Sequence, residues 1–161
     1  MHEAYLSWDE YFMGISLLSA MRSKDPQTRV GACIVNTDQR IVGIGYNGLP
    51  RGCSDTEFPW ERDGEFLETK YPYVVHAEQN AILNSTTPLK NCRLYVSLFP
   101  CHECAKYIIQ AGITEVIYIS DKYTHTPSTM ASKKMFRAAG VSYRQMNPIH
   151  LNVQIGNKII E

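Results

Sequence analysis

The chain has 161 residues, and 16 Lys plus Arg balance 16 Asp plus Glu. With 44% hydrophobic and 20% charged residues, it can fill the core of one ordinary domain and is not a disordered tail. Zero net charge speaks against a protein that lives on nucleic acid, which draws much of its affinity from neutralising phosphates; the expected partner is a small molecule.

The opening MHEAYLSWDEYF has neither the basic nor the apolar region of a secretory leader. No apolar run reaches the roughly 18 residues of a membrane helix, so a cytoplasmic protein with no membrane partner is expected. Ser7-Trp8-Asp9-Glu10 is a capping box, and Trp8, Tyr11, Phe12, Ile15 and Leu18 follow at helical spacing. This predicts a first helix over 8–22, which Asp25-Pro26 ends. Val30–Val35 and Ile41–Tyr46 are β-branched runs around Asn36-Thr37-Asp38-Gln39, the pattern of a hairpin. Residues 47–72, NGLPRGCSDTEFPWERDGEFLETKYP, lose all periodicity. A loop this long inside a domain is usually functional or disordered, and Phe58, Trp60 and Phe66 argue against disorder.

Beyond the loop the rhythm is regular: helix 76–84, strand 93–97, helix 102–111, strand 115–120, helix 128–139, strand 141–145, with Gly112 and Gly140 at helix stops. Such alternation implies parallel crossovers and a sheet covered on both faces. Residues 149–161 carry no assignable pattern.

Five cysteines, at 33, 53, 92, 101 and 104, are an odd number and suggest no disulfide framework. A reduced compartment is expected, with clustered thiols available for metal. His76-Ala77-Glu78 opens one predicted helix and Pro100-Cys101-His102-Glu103-Cys104 the next. Cys101 and Cys104, three apart at a helix start, can turn both sulfurs to one point, and helix N-termini favour the thiolate that zinc binds. His76 supplies a third ligand. Zinc with three protein ligands keeps its fourth position for water, the arrangement of a catalytic site. Glu78, two residues from His76 and about 200° around a helix, is placed to move protons rather than to ligate. Alone, C-x-x-C also fits a redox pair or a structural zinc knuckle, with Cys92 or His102 as fourth ligand. Together, the two halves match the H-x-E and P-C-x-x-C signature of zinc nucleobase deaminases.

The match extends further, through RSKDPQTRVGACIVN (22–36), IVGIGYNGLPRGCSD (41–55), TKYPYVVHAEQNAILN (69–84) and LYVSLFPCHECAKYIIQAGITEVIYISDKY (94–123). On these segments the chain resembles the deoxycytidylate deaminases of the cytidine and deoxycytidylate deaminase superfamily, from about Tyr5 to Gln145. The resemblance implies a three-layer α/β/α fold around a five-stranded mixed sheet, in one domain over 1–161 with an unassigned tail at 146–161. It implies His76, Cys101 and Cys104 as ligands of catalytic Zn²⁺, Glu78 as proton shuttle, and hydrolysis of dCMP to dUMP and ammonia, supplying thymidylate synthesis. It implies that Asn47 bonds the sugar, with Val30, Ala32 and Ala77 at the pocket wall; a plain Asn-Gly turn is the alternative for Asn47, and ordinary core burial accounts equally well for Val30 and Ala32. Lys122 and Tyr123, after a predicted strand end, are the candidates for the substrate phosphate.

Lys24 and Arg29, with Gly48, Arg51, Gly52, Cys53 and Ser54, resemble segments that bind the activator dCTP with Mg²⁺, where dTTP competes as inhibitor; exposed amides at 51–54 suit an anion. A hexamer is the commonly implied assembly. Alternatives are a cytidine or dCTP deaminase, another zinc nucleobase deaminase on this scaffold, or a non-catalytic zinc module.

Overall fold

Ser7 and Glu10 exchange the two bonds of the capping box: the Ser7 N–H donates to Glu10 Oε2 at 2.7 Å and the Glu10 N–H to Ser7 Oγ at 3.2 Å. They start helix α1, Trp8–Ala20, in a computed structural model that describes residues 4–161. The helix ends two residues before the position expected from periodicity. There, the Met21, Arg22 and Ser23 amides turn back onto the carbonyls of Leu18, Ser19 and Ala20.

Strands β1 (Gly31–Val35) and β2 (Ile41–Tyr46) form the expected hairpin. Next come α2 (Ala77–Asn84), β3 (Arg93–Leu98), α3 (His102–Gln110), β4 (Glu115–Ser120), α4 (Pro127–Ala139) and β5 (Ser142–Gln145). The sheet order is β2-β1-β3-β4-β5. β1 pairs antiparallel with both β2 and β3, while β3, β4 and β5 run parallel. This is the mixed five-stranded sheet implied by the resemblance.

Strand alternation divides the core into two layers. Cys33, Val35, Tyr95 and Ile117 face Phe12 and Met13 of α1. Ala32, Ile34, Leu94, Val96, Val116 and Tyr118 face Ala77 and Ala81 of α2, Cys104 and Ile108 of α3, and Phe136 of α4. The arrangement is α/β/α, with α1 alone on one face. Tyr95 is 1% exposed, and its hydroxyl donates to Asp9 Oδ1 at 2.7 Å; the Asp9 carboxylate also pairs with Arg144 at 2.7 Å. The hydrogen bond from Arg144, joined by that from Tyr95, outweighs burial and holds the Asp9 carboxyl below its ordinary value.

The placement of α2 depends on two glycines in edge strand β2. A Cβ on Gly45 would lie 2.3 Å from the Ala77 carbonyl oxygen, and one on Gly43 would lie 2.5 Å from that of Ala81. Their absence lets the helix lie directly on the strand. Asn80 and Asn84 then donate to the carbonyls of Tyr46 and Ile44 at 2.7 and 2.9 Å.

The tail, left unassigned by pattern, contains a small hairpin of β6 (Val153–Ile155) and β7 (Lys158–Ile160). Gly156 has φ of 58° at its two-residue Gly-Asn turn.

Candidate active site

The site is built from helix N-termini. His76 is not on α2, as the sequence pattern had it, but is the N-cap residue, with extended backbone at φ −74° and ψ 157°. Its N–H donates to Gln79 Oε1 at 3.0 Å. Cys101 is the N-cap of α3 and Cys104 lies in that helix's first turn. The two helix starts meet: His76 Nδ1 is 3.4 Å from Cys101 Sγ and 3.3 Å from Cys104 Sγ.

One ligand atom from each of the three side chains falls within 4.8 Å of the others, the one such metal-ligand cluster among the described residues. The geometry fits zinc. Zn–N and Zn–S bonds of about 2.0–2.3 Å at a tetrahedral angle put nitrogen and sulfur about 3.5 Å apart, close to both separations. Cys101 is drawn down to about 4, chiefly by a hydrogen bond from Cys104 and then by His76. The bond with Cys101 in turn raises His76 to about 9, and Cys104 is pushed up by its own bond with Cys101.

Among the described residues a fourth protein ligand is not at hand. Cys92 is 1% exposed within the core behind α3. His102 turns away, its Nδ1 lying 2.8 Å from Ser128 Oγ.

His76 and Cys101 line a cavity of about 530 Å³, within the range of small-molecule sites. Glu78 lines it and is only 4% exposed. Burial raises its pKa, although the His76 charge opposes the effect. Because His76 is off the helix, Glu78 and His76 share the cavity although two residues apart.

Val30, Asn47, Ala77 and Tyr123 line the same cavity; Ala32 is buried in the core. Asn47 is not one of the positive-φ residues, so it is no simple turn-former. Its Oδ1 accepts from the Val30 N–H at 2.9 Å, and its Nδ2 donates to the Thr28 carbonyl at 2.9 Å. One Oδ1 lone pair remains. Lys122 is not in the lining; its ammonium lies 5.1 Å from the centre of the Tyr123 ring.

The long loop is folded and closed at its base. Gly48 and Val75 exchange backbone hydrogen bonds of 3.1 and 2.8 Å, Phe58 packs edge-on against Tyr73, and residues Phe66–Glu68 form a short 3₁₀ turn. It brings to the cavity Arg62, Lys70 and Tyr71, residues that sequence reasoning missed because they carry no motif.

The remaining candidates divide. Lys24 forms an ion pair with Asp55, joining segments 24–29 and 47–55. Gly48 is at the loop base, and Gly52 has φ of 84°. The Cys53 N–H donates to the Pro50 carbonyl at 3.0 Å, and Ser54 and Thr56 hydroxyls bond at 2.8 Å. Arg29 instead lines a second cavity, between the end of α1 and residues 149–152, and Arg51, Gly52, Cys53 and Ser54 line neither.

The model of the cytidine and deoxycytidylate deaminase zinc-binding region matches residues 6–120. Deoxycytidylate deaminase of Mus musculus is 58% identical over 153 residues, covering 94% of this chain and 86% of that one. Its Homo sapiens counterpart is 59% identical over 146 residues, covering 89% and 82%. Among solved structures, dCMP deaminase from the cyanophage S-TIM5, in complex with dCMP and dUMP, superposes with a TM-score of 0.71. It is 27% identical and covers 88% of this chain and 100% of that one.

Proposed function

The chain belongs to the cytidine and deoxycytidylate deaminase family, and on that premise we propose that it hydrolyses dCMP to dUMP and ammonia. The observation that carries the reading is the His76–Cys101–Cys104 cluster, of which His76 and Cys101 line the same cavity as Glu78. Bound by those three side chains, zinc supplies Lewis acidity near neutral pH.

The proton traffic belongs to the protein. The Glu78 carboxylate takes a proton from water as its oxygen adds to C4 of the cytosine ring, and passes that proton to N3. A second proton through the same group goes to the exocyclic nitrogen, so that it leaves as ammonia. A carboxyl whose pKa is raised by burial suits a group that must hold a proton between two transfers.

The Ala77 and Val30 positions form the wall against the base, and Asn47 offers its free lone pair to a sugar hydroxyl. Residues 1–161 act as one deaminase domain with 146–161 as its tail, and the product supplies thymidylate synthesis in the cytoplasm. Among the described residues no helix is long and apolar enough to cross a membrane.

Regulation by dCTP with Mg²⁺, and opposition by dTTP, is the second part of the proposal. It is supported by the Lys24–Asp55 pair, which brings together the two segments that carry the resemblance. Arg29, Gly48, Arg51, Gly52, Cys53 and Ser54 complete the proposed regulatory set, in a hexamer.

Turnover on dCMP, CMP, deoxycytidine and dCTP in parallel tests the substrate. Faster conversion of the free nucleoside or of dCTP overturns it. Rate curves at sub-saturating dCMP, with and without dCTP and Mg²⁺, test the regulation; unchanged, non-sigmoidal curves reject it. Sedimentation tests the hexamer.

A further inference from the structure

We propose that the buried Asp25–Lys70 pair is a positioning device for Asn47: it locks that amide with one oxygen lone pair in the cavity, and so lets the enzyme read its substrate's 3′-hydroxyl. This deepens the function proposed above and rests on it.

The two cations that the long loop brings to the cavity are placed differently. Arg62 is exposed, and its Nε and Nη2 donate to Tyr71 Oη and Tyr123 Oη at 3.3 and 3.4 Å. Lys70 is buried, and its ammonium donates to Asp25 Oδ2 at 2.6 Å. A buried ion pair is weak evidence for stability, because an apolar pair of similar volume often serves as well. The bonds around this one give it a second use.

All the acceptor sites of the Asp25 carboxylate are taken. Oδ1 accepts from the Gln27 and Thr28 amides at 2.9 and 3.0 Å. Oδ2 accepts from Lys70 and, at 3.4 Å, from Asn47 Nδ2. Asp25 therefore has nothing left for a ligand and acts through Asn47. It does so twice, because the Thr28 residue that its Oδ1 holds also accepts, through its carbonyl, from Asn47 Nδ2 at 2.9 Å. Ser23 completes the frame: its Oγ accepts from the Asp25 N–H at 3.3 Å and donates to the Asn47 carbonyl at 2.9 Å.

At the other end of the amide, the Val30 N–H donates to Asn47 Oδ1 at 2.9 Å. Two acceptors beside Nδ2 and a donor beside Oδ1 admit one orientation of the group. A flip would set the amino group against the Val30 N–H, and the oxygen against a carboxylate. Asn47 is 6% exposed and lines the cavity, and the second lone pair of its Oδ1 is what remains to it. That lone pair accepts and cannot donate, so it fits a hydroxyl. With phosphate on C5′ and no oxygen on C2′, dCMP has one free hydroxyl, at C3′.

The test compares dCMP with 2′,3′-dideoxycytidine 5′-monophosphate, which lacks only that hydroxyl. It uses wild type, Asp25→Asn and the double variant Lys70→Met/Asp25→Asn, all as the full chain with zinc. In Asp25→Asn the new amino group replaces Oδ2 and faces Asn47 Nδ2, donor against donor. The double variant leaves no lone buried charge, so it keeps the readout if the single variant loses the wild-type circular dichroism. Wild type should prefer dCMP by about 30-fold in kcat/KM, the cost of leaving a buried acceptor unserved. In the variants that preference should fall at least about fivefold, because the oriented lone pair is lost. A merely structural role would lower both substrates in proportion and leave the preference where it was. A smaller fall in both variants overturns the proposal. A wild type that does not distinguish the two substrates also overturns it, and leaves the deaminase reading in place. A wild type inactive on dCMP overturns that reading and the proposal with it.

Discussion

Lys70 donates to Asp25 Oδ2 at 2.6 Å in a pair whose side chains are 9% and 1% exposed. The same carboxylate caps the turn after α1, its Oδ1 accepting from the Gln27 and Thr28 amides at 2.9 and 3.0 Å. Its Oδ2 lies 3.4 Å from Asn47 Nδ2. The pair thus joins the end of the long loop to the entry of β1 and to the cavity wall, and both of its members line the cavity.

Removing one partner leaves the other charge buried and alone. Lys70→Met should lower the unfolding free energy by about 3 kcal/mol, measured by urea denaturation. The double variant Lys70→Met/Asp25→Asn should lose less than the two single losses added together, because the sites share one interaction.

The pair also sets a pH dependence. Burial pushes the Asp25 carboxyl up, but Lys70 and the Gln27 and Thr28 amides outweigh it, and the net value lies below the ordinary one. A folded-state value below the unfolded one, which is about 3.9, means that the stabilisation is complete above that pH and is lost as pH falls through the folded value. The stability gap between wild type and Asp25→Asn should therefore hold from pH 7 to about 5 and narrow below about 4. A gap that widens on acidification contradicts this.

Glu78→Gln removes the proton carrier and keeps the shape. Turnover of dCMP should drop by about 10³–10⁴-fold, with zinc still bound at one ion per chain by emission spectroscopy. Near-normal turnover would remove Glu78 from the mechanism. Cys104→Ser should instead lose the metal and activity together.

Gly45→Ala tests the seat of α2 on β2. Its new methyl would meet the Ala77 carbonyl oxygen at 2.3 Å, so the helix that follows His76 and bears Glu78 must move. A stability loss of about 1–3 kcal/mol is expected, together with a fall in kcat/KM, read from thermal melting and steady-state rates.

The alternation of strands and helices was legible because each element carries its own period, and the capping box at Ser7 and Glu10 needed only four residues. The zinc ligands were legible for a similar reason: each half of the motif sits at one helix start, and only their meeting is tertiary. What stayed hidden depends on contacts between distant residues. Nothing near Arg62 indicates that Tyr123 is its partner, and nothing near Lys70 points to Asp25. His76 was read onto the helix because H-x-E looks the same on either side of an N-cap; its extended backbone decides the matter. The tail hairpin had a signal that the pattern reading passed over, the Gly156-Asn157 pair between two short apolar runs, which is a known hairpin turn.

The most direct measurement follows ultraviolet absorbance and ammonia release from dCMP with purified protein, and counts zinc in the same sample. The account predicts one zinc per chain and equal amounts of dUMP and ammonia, formed faster from dCMP than from deoxycytidine or dCTP. Zinc-loaded protein that leaves dCMP intact contradicts it.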